Sequence, residues 1–204
     1  MCSTDDAPID WRTALPVLEG RRVVLRELRE ADAPALFVLL SDEAVSRFIS
    51  PPPPSVDGFA KYIAWAQRQR MAGQYVCFVV VPRGADAPIG LIHVRSLGPA
   101  FSIADWGFAL ATEYWGTGTF REAAELVVDF TFDVLKTHRL EARAALCNAR
   151  GNGAMKKLGA QQEGTLRQSF FRNGEYIDQV IWSLFREDWQ RRRREDIRVS
   201  GVVH

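Results

Sequence analysis

The spacing of apolar and polar residues changes several times along the chain, and each change marks an element. Residues 21–28, RRVVLREL, read as a first strand. Residues 29–42, READAPALFVLLSD, read as a helix with Asp32 near its cap and Pro34 in its first turn. ISPPPPSVDG, 49–58, is an extended loop, because consecutive prolines fix φ and remove amide donors. A second helix follows over 58–71, where Phe59, Ile63 and Ala66 share a face widened by Tyr62 and Trp65. The period then shortens: 74–81, 88–97 and 102–110 are strands joined by short turns, an antiparallel meander. The first of these is apolar at nearly every residue and so is expected to be covered on both faces. Residues 119–136 form a helix with a thin polar line at Glu122, Glu125, Asp129, Asp133 and Lys136. A strand at 139–146, a short helix at 149–160 ended by Gly159, and two strands flanking Asn173-Gly174 complete the order.

This order implies a single α/β (α+β) domain over residues 15–190, between an N-terminal extension, 1–14, and a basic C-terminal tail, 191–204. Its sheet is expected to be mixed, mostly antiparallel, of about seven strands with helices on both faces.

Composition narrows the class without naming a chemistry. The 204 residues are 47% hydrophobic, enough for a sizeable core, and a net charge of +1 offers no general attraction to nucleic acid or to a membrane surface. The run RRRRED at 191–196 reads as a solvated helix end, since Glu195 and Asp196 offset part of it. YVCFVVV at 75–81 is too short to span a bilayer, and the acidic N-terminus lacks the basic start of a signal peptide, so a cytoplasmic protein is expected. Cys2, Cys77 and Cys147 have no metal-ligand spacing; Cys77 and Cys147 lie in apolar strand patterns and read as buried, inert thiols, and no metal site is expected.

The stretch EYWGTGTFREAAELVVDF, 113–130, places two glycines one residue apart before a long helix. Helix-start amides lack partners and the peptide dipoles make that end electropositive, so a pyrophosphate suits it. A dinucleotide fingerprint needs a third glycine where Arg121 stands, and a P-loop needs Gly-Lys-Ser/Thr, which does not follow. The plain alternative is a well-capped helix, with Thr119 and Glu122 at capping-box spacing.

The succession ADWGFALATEYWGTGTFREAAE, HRLEARAALCNARGNGAMKKLGAQQEGTLRQSF and GEYIDQVIWSLFREDW resembles the GNAT acyl-CoA N-acetyltransferase superfamily, and within it the RimL/RimJ-type ribosomal-protein N-terminal alanine acetyltransferases, over roughly residues 15–190. The resemblance implies acetyl-CoA as cofactor. It places the coenzyme A pyrophosphate on Trp115, Gly116, Thr117, Gly118, Thr119 and Phe120. The pantetheine arm lies along the backbone of Phe108, Ala109 and Leu110, with Asn148 on the other side; Asn148 reads equally well as a plain helix cap. The implied reaction is direct attack of a primary amine on the acetyl thioester.

At three positions where members of the family carry proton-handling side chains, this chain has Gly151, Met155 and Phe170. Asp105 and Glu113 are the substitute candidates for catalysis, against readings as an ion-paired acid on a strand flank and as a loop charge. His93 is either a structural strand histidine or a proton relay. The acceptor side is expected from Phe48, Ser50, Pro51, Trp106, Phe170, Phe171 and Arg172. The acceptor is a protein N-terminus or a small amine such as a polyamine or antibiotic, a non-catalytic acyl-CoA-binding module is the alternative class, and a homodimer is compatible with the pattern.

Overall fold

A computed structural model describes residues 10–201, with side chains placed through residue 195; Cys2 and the first nine residues of the extension lie outside the described residues. Eight strands form one sheet: β1 (Leu18–Glu19), β2 (Val23–Glu27), β3 (Tyr75–Pro82), β4 (Gly90–Ser96), β5 (Ile103–Leu110), β6 (Arg139–Ala145), β7 (Gln161–Arg172) and β8 (Glu175–Phe185). Their order across the sheet is β1-β2-β3-β4-β5-β6-β8-β7, antiparallel at every step except β5 to β6. The strand beyond the expected seven is β1, two residues paired with Val24 and Leu25, too short to show a period. The helices are α1 (Ala33–Ser41), α2 (Glu43–Ser46), α3 (Val56–Met71), α4 (Thr119–Asp133), α5 (Ala149–Leu158) and α6 (Arg186–Gly201). The single-turn α2 was not foreseen; Asp42 starts it by accepting from the Ala44 amide at 2.9 Å.

Strand β3 explains the layering. Tyr75 through Val81 are all buried. Tyr75, Cys77, Val79 and Val81 pack with Leu36, Leu40, Phe59 and Ile63 of α1 and α3, whereas Val76, Phe78 and Val80 pack with Ala124, Val127 and Val128 of α4. An uninterrupted apolar strand thus serves two cores, one on each face of the sheet. Asp32 is the N-cap residue of α1, but its side chain does not bond the helix amides. Its carboxylate is buried and accepts two bonds from Arg26, both 2.8 Å, and one from the Arg29 amide at 2.7 Å.

The polar line of α4 is the wet edge expected from its sequence only in part: Asp133 and Lys136 are exposed, but Asp129 is not. Asp129 accepts from the Trp189 indole at 2.6 Å and pairs with Arg193 at 2.9 Å, so α6 covers this side. Burial holds the Asp129 carboxyl above its ordinary value, against the opposing pull of Trp189 and Arg193.

The feature that positions the site is the single parallel step. β5 and β6 pair only through Ile103, Ala104 and Asp105 with Arg139, Leu140 and Glu141. Beyond that, β5 stays paired to β4 as far as Leu110 and β6 to β8 as far as Ala145, so the two neighbours separate and a wedge opens in the sheet. The β7–β8 hairpin turns on Asn173 and Gly174, with φ of 51° and 82°. Two consecutive positive φ values are what a primed two-residue turn requires and what Asn-Gly supplies. The Arg172 guanidinium donates to the Ser46 carbonyl at 3.4 Å, which brings the hairpin tip against α2.

Candidate active site

The turn before α4 is built from left-handed glycines. Gly116 has φ 76° and Gly118 φ 86°, and Gly118 is the N-cap residue of α4. A Cβ at Gly116 would meet nothing within 4 Å, so this backbone faces open space. The capping box suggested by Thr119 and Glu122 does not form: the Glu122 carboxylate instead accepts from the Arg22 amide at 2.9 Å. The Thr117 hydroxyl donates to the Tyr114 carbonyl at 2.8 Å and lies 2.8 Å from the Thr119 hydroxyl, while the Arg22 side chain donates to the Thr117 carbonyl. These contacts hold the turn from its flanks and leave its outer face clear.

A cleft of about 680 Å³ lies between this turn and α5, bounded by Phe108, Leu110, Gly116, Gly118, Arg150 and Lys157 among others. Its walls suit a molecule with an anionic end and an apolar arm. The helix-start amides of α4 and the basic side chains of Arg150 and Lys157 border it, and Phe108, Leu110, Phe120 and Leu158 supply apolar surface. The Arg150 guanidinium stacks 3.5 Å above the Trp115 ring, whose indole N–H donates to the Leu110 carbonyl at 2.8 Å. Arg150 and Lys157 were missed in the sequence; the only signal was their place on the helix after Asn148.

The cleft continues into the wedge. A second pocket, sharing Phe108, Trp115 and Arg150 with the first, is bounded by Trp106, Gly107 and Ala109 of β5 and Ala142, Arg143 and Ala144 of β6. The Ala111 amide bonds the Ile89 carbonyl at 2.8 Å. In an antiparallel pair the bonded residues alternate, so Ala109 and Gly107 direct their backbone groups to β4, and Phe108 and Leu110 direct theirs into the wedge. Of the three residues Phe108 to Leu110, Ala109 therefore does not direct its backbone N–H and C=O into the gap. Asn148 borders the wedge and also caps α5, its Oδ1 accepting from the Gly151 amide at 2.9 Å, while its Nδ2 has no partner among the described residues.

On the α3 side of the sheet a third pocket, about 570 Å³, shares Ile49, Gly107, Phe108 and Ala109 with the wedge. Pro51–Pro54, Phe59, Tyr62, Tyr75, Leu91 and His93 enclose it, and Ser50 is exposed at its margin. The three spaces run from the α4 turn, through the sheet, to the proline loop.

The remaining expected residues separate into two groups. Trp106 and Phe48 line the wedge, and Phe48 and Arg172 also border a depression beneath the hairpin. Phe170, paired with Ile177 in the hairpin, borders none of these spaces, so the acceptor role expected of it has no geometric support. Asp105 is not a free base: both its oxygens bond the Arg95 guanidinium, at 3.0 and 2.8 Å, which matches the ion-paired alternative. Glu113 is exposed on the turn Thr112–Tyr114 and borders none of these spaces. Cys147, expected to be buried, is exposed because β6 ends at Ala145 and the chain turns outward before α5. Cys77 is buried as expected, and burial pushes its thiol up to about 12.

His93 is half-buried, stacked on Tyr75 with ring centroids 5.4 Å apart. Burial lowers its pKa to about 4; the Asp105 charge opposes the shift and Arg95 adds to it. Between about pH 4 and 6.5 the unfolded chain binds a proton at this site that the folded chain does not. Stability from His93 is thus present above pH 6.5 and lost as the pH falls toward 4. Chemical denaturation of wild type and His93→Phe at several pH values should show wild type losing about 2 kcal/mol more over that interval, discounted because the ring borders an open pocket. Parallel slopes for the two proteins would contradict the neutral buried ring.

Comparison with known proteins agrees with this geometry. A family model described as the acetyltransferase (GNAT) domain matches residues 22–161. The chain is 28% identical over 174 residues to the uncharacterized N-acetyltransferase YoaA of Bacillus subtilis, covering 83% of this chain and 96% of that protein. It is 30% identical over 112 residues to spermidine N(1)-acetyltransferase of Escherichia coli, covering 55% and 59%. The ribosomal-protein-S5-alanine acetyltransferase from Vibrio fischeri shares the fold, with a TM-score of 0.76 over 85% of this chain and 98% of that one at 20% identity. The glycine turn before α4 and the wedge between β5 and β6 both lie within the residues that the family model matches. The chain belongs to the GNAT acetyltransferase family and is an N-acetyltransferase that uses acetyl-CoA.

Proposed function

We propose that the acceptor is a protein N-terminal α-amine, and that acetyl-CoA lies along the cleft and wedge with its anionic end on the turn Trp115–Phe120. When bound it supplies an acetyl group activated as a thioester. The chain's own residues do the rest. The amides around Gly116 and Gly118, with Arg150 and Lys157 opposite, bind the phosphates. The backbone groups of Phe108 and Leu110 that face the wedge orient the arm, although the Leu110 carbonyl is already engaged by Trp115. The Asn148 Nδ2 approaches from the α5 side, and an N–H at the β5 edge stands where a carbonyl oxygen gaining negative charge would need a donor.

The choice of acceptor rests on one observation. Neither the wedge nor the pocket enclosed by the proline loop has an acidic side chain in its lining. Beneath the hairpin, Glu175 and Asp178 are balanced by Arg47 and Arg172. A polyamine carries several positive charges that would lose water here without counter-charges. A chain terminus presents a single amine with a reference pKa near 8, against about 10.4 for lysine, and so yields its proton more easily. Its side chains suit walls of proline, phenylalanine and tyrosine.

Thiol release measured with Ser-, Ala- and Thr-initiated peptides and with spermidine tests this reading. At least one peptide is expected to react with a kcat/KM ten or more times that of spermidine, and the reverse order would overturn it.

A further inference from the structure

We propose that His93 is the catalytic group that takes the proton from the attacking amine, and that glycine at position 107 is what allows it to reach. The proposal rests on the acetyl transfer described above and adds a residue to it. His93 on β4 stands directly opposite Gly107 on β5. A Cβ built on Gly107 would lie 2.7 Å from His93 Cε1 and 3.0 Å from Nε2. The imidazole therefore occupies the space that any other residue at 107 would fill with its own side chain, and it lies over Gly107. Gly107 borders both the wedge and the proline-loop pocket, and His93 lines that pocket. The ring thus stands where the two spaces meet.

Its orientation is held from behind. Tyr75 stacks on it, and the Tyr75 hydroxyl is fixed 2.9 Å from that of Tyr62. Yet neither ring nitrogen has a hydrogen-bond partner among the described residues. The ring is half-buried and lines the pocket, so its unpaired nitrogens are available to a molecule bound there. The groups around it cannot substitute. Burial raises Tyr62 and Tyr75 well above the ordinary phenol value and Cys77 to about 12, so all three are uncharged acids at neutral pH. Asp105 and Arg95 neutralise each other through two hydrogen bonds. The imidazole remains neutral down to about pH 4, so its lone pair is free in the working range, and as a weak base it holds the proton only until water removes it.

The protons and bonds balance as follows. The bound ammonium passes one proton to the ring, which hands it to water in the pocket. The freed nitrogen bonds the acetyl carbonyl carbon, the carbon–sulfur bond breaks with its electron pair going to sulfur, and the proton shed as the amide forms goes to that sulfur. One proton is released per turnover. A weakly basic acceptor ring is better matched to an α-amine than to lysine, because the proton moves against a smaller difference in pKa.

The test compares wild type with His93→Phe, which keeps the stack on Tyr75 and removes both nitrogens, and with His93→Gln, which restores a hydrogen-bond acceptor. Turnover is measured with a Ser-initiated peptide. His93→Phe is expected to lower kcat about 100-fold or more while its acetyl-CoA Kd by calorimetry stays within about twofold, and His93→Gln, which accepts a hydrogen bond but not a proton, to remain comparably low. Gly107→Ala, which pushes the ring away without removing it, should reproduce the defect if the phenylalanine variant does not fold. Independently of turnover, the peptide added to wild type with coenzyme A should shift a His93 ring nitrogen in the 15N spectrum. Wild-type kcat in a folded His93→Phe, or an unmoved nitrogen resonance with peptide bound, would overturn the role of His93 alone. A wild-type protein that binds no acetyl-CoA would overturn the underlying reading as well.

Discussion

Gly118→Asp is expected to weaken acetyl-CoA binding about 100-fold or more, equivalent to roughly 2.7 kcal/mol, while the protein stays folded. The expectation has three parts. Gly118 has φ 86°, a conformation that aspartate tolerates better than most residues but at some strain. A Cβ there would lie 2.7 Å from the Arg22 guanidinium, the far end of an exposed and flexible side chain that can move aside or pair with the new carboxylate. Finally, a carboxylate at the N-cap suits the α4 dipole, so the helix loses little, but it occupies with negative charge the place offered to a phosphate. Calorimetry with acetyl-CoA and a thermal melt check the two halves separately. Retained affinity in a folded protein would show that the anionic end does not sit on this turn.

The second large effect lies away from the cleft. Asp32→Ala is expected to destabilise the domain by about 3–5 kcal/mol, because it leaves the buried Arg26 guanidinium without its carboxylate partner. Side-chain exposure is 9% for Arg26 and 5% for Asp32, and the pair is bidentate. The Asp86 carbonyl, 3.0 Å from Arg26, and the Asp86 carboxylate at 3.8 Å remain, but that carboxylate is 88% exposed and its charge is screened by water. The double variant Arg26→Leu with Asp32→Leu should be less destabilised than the single, since it buries no unpaired charge. Denaturant melts of all three decide; a single-variant loss below about 1 kcal/mol would mean that water reaches the pair.

Much of the architecture was legible in the chain because its signals are local. The unbroken apolar run Tyr75–Val81 announced a strand covered on both faces, and Asn173-Gly174 announced the hairpin, since few other dipeptides accept two successive positive φ values. Gly116 and Gly118 marked a left-handed turn before α4, and the motifs around them pointed to the GNAT family. Features that depend on partners beyond the near neighbours were not legible. Asp129, in the polar line of α4, looked solvated because α6, which covers it through Trp189 and Arg193, lies some 60 residues away. Asp32 stands at the N-cap of α1 as read, but its carboxylate bonds Arg26, a partner that local sequence does not reveal. Asp105 looked available as a base until the β4 register set Arg95 directly across from it.

The sequence by itself determined the period of each element, the conformations that glycine, proline and Asn-Gly impose, and the family, since all three depend on a residue and its near neighbours. The tertiary structure alone decided where β5 leaves β6, that Arg150 and Lys157 face the α4 turn, and that the His93 ring enters the space Gly107 leaves open. Those facts arise from strand order and register, which join residues tens of positions apart, and a change of one residue in register would turn each side chain to the opposite face of the sheet.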